Sequence, residues 1–223
     1  QEIAFAVRDK CFPLEHFSAY LQKGYYPFGV EGFNSYYQRI ESIADLLLNI
    51  ELPQLRGVDV GNIRKLKALL AVISTEVPML VDVSKLSAFI GVSRITLLAY
   101  LQYLHEAKLI RLLYSDDLSV KKMQKPDKIL MENTNLLQAL SLKEPNIGTM
   151  RETFFCNQLG YKHQVEYNKS GDFLIDHRLV FEIGGKAKDG KQVAQNENAY
   201  IAADDIDYPM GNKLPLWMFG LMY

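Results

Sequence analysis

The chain has 223 residues, 48% of them hydrophobic and 23% charged, with a formal net charge of −1. That is enough apolar material for one large domain or two to three small ones. It excludes a chain dominated by disorder, and no global basic field marks a nucleic-acid binder.

The charge is uneven along the chain. Residues 1–77 carry 8 basic and 9 acidic groups, residues 78–130 carry 8 and 5, and residues 131–223 carry 9 and 12. Only the middle segment is basic, and its densest run is KKMQKPDK at 121–128. Such a run is either a solvated loop or a phosphate-facing patch. Cys11 and Cys156 each adjoin a phenylalanine, which predicts free, buried thiols in a reducing compartment. No Cys/His spacing suggests zinc. No apolar run reaches the ~18–20 residues that span a bilayer, and no signal peptide is recognisable. A cytoplasmic location without a membrane partner is the expectation. The chain opens on Gln1 in what reads as mid-domain sequence, which predicts a fragment of a longer protein.

In chain order, residues 13–23 have helical apolar spacing, with Gly24 as the stop. Residues 34–50 predict a second helix, capped by Asn34 or Ser35 and ended by Pro53. Residues 61–74 predict a third, with Ile63, Leu66, Leu69, Leu70 and Ile73 on one face. Next comes a short helix at 84–90 ending at Gly91, then a helix from Ser93 to about Lys108. Strands follow at LIRLLYS and DKILMEN. Helix, tight turn, helix and two strands is the winged helix-turn-helix pattern. In the last third, a helix at 146–161 precedes strands near 163–167, 171–176 and 178–183. Two further strand-like runs, NAYIAADD and LPLWMFGLMY, come later. The fold class expected is α+β and multi-domain: a helical segment (1–77), a winged helix (78–133) and a small α/β domain (134–223).

Two chemistries compete for the stretch LVFEIGGKAKDGKQV at 179–193. Residues 185–191 read G-K-A-K-D-G-K, but Gln192 stands where a P-loop needs Ser or Thr for Mg²⁺. Too few residues follow to build a P-loop sheet, so no ATP-binding residue is expected in this chain. The acids offer more. Asp172 opens one predicted strand and Glu182 lies near the end of the next, joined by a short turn. Two close carboxylates with a nearby lysine can hold Mg²⁺ or Mn²⁺ and a water nucleophile. Glu152, on the preceding helix, can point towards the same place.

This constellation resembles the restriction-endonuclease-like PD-(D/E)xK superfamily. The resemblance carries over as catalytic Glu152, Asp172 and Glu182, with Asp172 and Glu182 as metal ligands. The lysine role falls nearest to Lys186. The pattern wants lysine two residues after the acid, where this chain has Gly184. A shift of two along a strand keeps the face but moves the amine by about 7 Å.

Across its length the chain resembles the C-terminal region of prokaryotic AAA-type ATPases common in Bacteroidetes. The segments that carry the likeness are YLQKGYYPF, YYQRIESIADLLLNIELPQ, RKLKALLAVIS, EPNIGTMRETFFCNQL, FEIGGKAKDGKQV and GNKLPLWMFGLMY. The resemblance implies a helical lid, a winged helix and a nuclease-like domain, with ATP bound only by an N-terminal core outside these residues. It implies DNA, that ATPase core and a homo-oligomer as partners. Ser93, Arg94 and Thr96 at the start of the second winged-helix helix would meet DNA, with Lys121, Lys122, Lys125 and Lys128 on or beside the wing. The function expected is nucleic-acid or partner binding through the winged helix, beside a nuclease-like domain that does not cleave. Metal-dependent phosphodiester cleavage and a purely structural module are the alternatives.

Overall fold

The computed structural model describes residues 2–8, 10–31, 35–57, 59–116, 125–190 and 198–222. Helices and strands are largely segregated along the chain, an α+β arrangement. The chain forms two compact units, one of residues 23–145 and one of residues 1–22 with 146–223, where three segments were expected. Among the described residues no single helix is long and apolar enough to cross a membrane.

Helices α1 (Glu2–Arg8) and α2 (Pro13–Lys23) open the chain. Pro13 takes the first helical position, where its missing N–H costs nothing. Neither Cys11 nor Cys156 is in a disulfide, and only Cys156 is buried. Cys11 stays half-exposed at the helix junction, with its Sγ 3.5 Å from the Val7 carbonyl.

The unit of residues 23–145 is mainly helical. Helix α3 (Tyr36–Leu46) follows Ser35, whose side chain makes no capping hydrogen bond; Asn34 lies outside the described residues. The helical run does not stop at Pro53. A π turn at Leu47–Glu51 leads straight into α4 (Leu52–Arg56), and Pro53 sits in the first turn of α4. The widened turn accommodates a residue with no N–H and a bulky ring. Gly57, at φ +62°, ends the run instead.

Helix α5 (Val60–Glu76) buries Leu66, Leu69, Leu70 and Ile73, the stripe read from the sequence. Strand β1 (Met79–Leu80) is too short to show in a periodicity. Helix α6 (Val83–Ile90) is capped by Asp82, which accepts from the Ser84 and Lys85 amides at 3.0 Å each. Gly91 turns the chain at φ +71° into α7 (Arg94–Glu106). Strands β2 (Ile110–Leu113) and β3 (Lys128–Met131) complete an antiparallel sheet in the order β1-β3-β2.

Helix α8 (Thr134–Leu140) explains the boundary at residue 145. Asn133 caps it, accepting from the Asn135 and Leu136 amides. The Asn135 side-chain oxygen accepts from the Tyr36 hydroxyl at 2.5 Å and the Tyr25 amide at 2.9 Å. These buried bonds tie α8 to the first third of the chain, so residues 134–145 belong with the helices and not with the sheet that follows.

The second unit is built on helix α9 (Ile147–Leu159) and five strands: β4 (Val165–Tyr167), β5 (Phe173–Ile175), β6 (Leu179–Gly184), β7 (Ala199–Ala203) and β8 (Lys213–Pro215). Their spatial order is their chain order. β4, β5 and β6 pair antiparallel, whereas β6, β7 and β8 pair parallel. Phe155 of α9 is fully buried, its ring 5.4 Å from Phe173, 5.0 Å from Phe181 and 4.8 Å from Phe219. The expected last strand is only partly a strand. After β8 the chain coils into a 3₁₀ turn at Leu216–Leu221, burying Leu216, Trp217 and Phe219. Two adjacent apolar side chains in a row cannot both face one core from a strand, but a coil can bury them.

Candidate functional site

β6 is the one described strand in this sheet with an antiparallel neighbour on one side and a parallel neighbour on the other. Glu182 lies inside it, 1% exposed. β5 begins at Phe173, paired with Phe181, so Asp172 immediately precedes the ladder on the chain that runs beside β6. Asp172 ends the ladder with its side chain. Its amide donates to the Phe181 carbonyl at 2.8 Å, and its Oδ2 accepts from the Ile183 amide at 2.6 Å. The two carboxylates singled out in the sequence thus lie on adjoining segments of the short β5–β6 hairpin, and both charges act on the same lysine.

The lysine on this pair is Lys188, not Lys186. Lys188 Nζ lies 2.8 Å from Glu182 Oε1. Strand β6 ends at Gly184, and a turn closed by the Lys188 amide on the Gly185 carbonyl folds the chain back. The lysine stem then lies over Gly184: a Cβ built there would stand 2.8 Å from Lys188 Cβ and Cγ. Lys186 is exposed, and its carbonyl accepts from Lys213 Nζ at 3.0 Å.

The hydrogen bond to Glu182 raises the Lys188 pKa above its ordinary value. Desolvation opposes that rise, and the charges of Glu182, Asp172 and Asp189 add to it. Lys188 is thus held as an ammonium. The second Glu182 oxygen, Oε2, is buried and has no hydrogen-bond partner among the described residues. A bare oxygen on a buried carboxylate is costly unless a cation or donor meets it.

Glu152 is half-buried on α9. Its neighbour Arg151, which sequence reasoning passed over, has a clear place. Its Nε donates to Asp204 Oδ2 at 2.8 Å, and its Nη2 lies 3.4 Å from Asp205 Oδ2. The same guanidinium stands against Gly185, where a Cβ would be 3.2 Å from Nη1. No sequence spacing announces this pairing, because the partners are 53 and 54 residues apart. The P-loop-like run forms a turn and not a helix start over its described residues, 185–190. It lacks the helix N-terminus that cradles phosphate.

In the helical unit, the residues expected at DNA divide. Ser93 Oγ accepts from the Thr96 amide at 3.1 Å and shares a hydrogen bond with Thr96 Oγ1 at 2.8 Å. Both hydroxyls are thus engaged in capping α7. Arg94 and Lys125 are exposed. Lys128 is not a surface group: it is 7% exposed, because β3 is the central strand of its sheet. Lys121 and Lys122 lie outside the described residues. Phe89 and Ile95, 75% and 82% exposed, flank the α6–α7 turn. A groove of about 600 Å³ opens between α5, β1 and α6, lined by Val72, Met79, Leu80, Leu86, Phe89 and Leu142 among others.

A family described as Domain of unknown function (DUF8612) matches residues 14–146. The chain belongs to that family. The DUF8612 segment takes in the whole helical unit and helix α2, and stops where α9 begins. The carboxylate site lies beyond it, so the DUF8612 match is silent on Asp172, Glu182 and Lys188. No curated protein and no solved structure matches the chain.

Proposed function

We propose that the chain is a nucleic-acid-handling module whose sheet unit is a restriction-endonuclease-like domain with a divalent-metal site for phosphodiester chemistry. The observation that carries this reading is the buried Glu182, with one bare oxygen, on the strand whose main chain holds Asp172 at both Phe181 and Ile183. Hard oxygen donors of this kind fit Mg²⁺ or Mn²⁺. A bound ion would supply a water of lowered pKa and charge for a phosphoryl oxygen. Asp172 and Glu182 would hold it. Lys188, kept protonated, is suited to steadying developing negative charge and unsuited to acting as a base.

The order α5, β1, α6, α7, β2, β3, with the sheet order β1-β3-β2, supports a winged helix in the DUF8612 segment. Of the residues expected at DNA, Arg94 and Lys125 are the cations described as exposed. The exposed Phe89 and Ile95 favour a second reading of that face, a protein partner. By the same resemblance, ATP turnover belongs to an ATPase core outside these residues.

The test is a calorimetric Mn²⁺ titration together with a plasmid-nicking assay, on the wild type, Asp172→Asn and Glu182→Gln. Saturable binding, and nicking lost in both variants, is the expected result. Mn²⁺ binding absent from both the wild type and Lys188→Met, or Asp172→Asn and Glu182→Gln variants that nick as well as wild type, would remove the metal-site reading.

A further inference from the structure

Glu182 cannot stay charged and buried alone, and the chain answers with a cation of its own. That cation arrives in an unusual way. It comes from a loop and not from the strand, and the loop is held by the Lys188 amide on Gly185 and by Lys213 on the Lys186 carbonyl. The Lys188 side chain remains 34% exposed while Glu182 is 2% exposed, so only its tip is committed to the interior. The path over β6 exists because residue 184 has no side chain. The ammonium takes Oε1 and leaves Oε2 bare.

We infer that the Lys188 ammonium is the resident counter-ion of a divalent-cation seat on Glu182, and that its withdrawal opens that seat. The inference rests on the metal-site reading above and adds its regulation. Two cations on one small carboxylate repel each other, strongly so where water is scarce. An ammonium 2.8 Å from Glu182 therefore weakens divalent binding at Oε2 while it stays. Because the lysine is carried by a loop, it can leave without disturbing the β6 ladder. Anything that draws the 185–190 loop away, such as an acidic or phosphate group competing for the amine, would load the site.

The experiment is Mn²⁺ titration by calorimetry on four proteins, with thermal melting to confirm that each is folded. Lys188→Met removes the ammonium. Gly184→Ala keeps it but pushes the stem off β6. The exchange Gly184→Lys with Lys188→Gly sends a lysine out from the strand itself, on the same face as Glu182. Lys188→Met and Gly184→Ala are expected to bind Mn²⁺ about tenfold or more tighter than wild type. The exchange variant is expected to return to wild-type affinity. If the wild type binds Mn²⁺ and both single variants bind equally or more weakly, lysine and metal coexist on the two oxygens. The gating inference then falls while the metal site stands. If none of the four binds Mn²⁺, the inference falls together with the reading beneath it.

Discussion

Each unit buries a carboxylate against a cation, and two such pairs, one from each unit, are built differently. In the helical unit, Arg111 Nη2 lies 2.6 Å from Glu132 Oε1, with side chains 10% and 3% exposed. Arg111 is on β2, in register with Leu130, and the Glu132 amide donates to the Leu109 carbonyl at 3.1 Å. Arg111 is fixed by paired strands, and Glu132, the residue after β3, is tied back by its amide. In the sheet unit only Glu182 is on a strand; Lys188 comes from a turn, over a glycine, with a third of its side chain in solvent. The first pair is part of the frame. The second has one fixed member and one that can move, which is the arrangement a switchable site needs.

The sharpest way to break that contrast is to remove each cation in turn. Arg111→Met takes the guanidinium from Glu132, whose side chain is 3% exposed. A loss of about 3–5 kcal/mol of stability is expected, measured by urea unfolding. Lys188→Met should cost clearly less, because the vacated loop lets water reach Glu182. Hydrogen exchange would separate the units, with β2 and β3 amides affected in one variant and β5 and β6 amides in the other. An equal loss in the two variants would make Lys188 another structural cation and erase the distinction.

The contrast also shows what the sequence could and could not reveal. The carboxylates were legible because hairpin geometry is local: a short turn between two strand-like runs puts Asp172 and Glu182 on adjoining segments. The lysine was not. Residues 184, 186 and 188 all share strand parity with Glu182, so periodicity cannot choose among them. The choice is made by where β6 stops, and the turn after Gly184 brings back the fourth residue beyond it. Helix positions were legible from their apolar stripes and from the stop at Gly91, whereas the stop at Gly57 was passed over for Pro53. Pro53 was misleading because a π turn absorbed it. The burial of Lys128 depends on β1, a two-residue strand that makes β3 central and that no pattern announces.

A smaller effect tests whether α7 offers its first turn to a ligand or spends it on itself. Ser93 and Thr96 are occupied with each other and with the cap. Ser93→Ala should cost about 1 kcal/mol in stability. If the exposed cations carry duplex DNA binding, that binding should fall for Arg94→Ala and hold for Ser93→Ala, read as salt-dependent anisotropy. Binding lost on removing Ser93, with stability unchanged, would make the hydroxyl a contact and not a cap.

The smallest effect separates the two ion pairs by pH alone. Arg111 keeps its charge throughout the accessible range. Lys188 does not, and its pKa in the folded chain is raised above the ordinary 10.5, chiefly by the hydrogen bond to Glu182. A group whose pKa is raised on folding stabilises fully below its unfolded value, and that contribution is lost as pH climbs through the folded value. The loss attributable to Lys188 therefore falls above pH 10.5 and is absent below it. Other lysines and tyrosines titrate in the same window, so the quantity to follow is the stability difference between wild type and Lys188→Met. That difference should be constant from neutral pH to about pH 10 and shrink above it. A difference that stays flat into strong alkali would mean that Lys188 gains nothing from Glu182, and the resident counter-ion would have to be sought elsewhere.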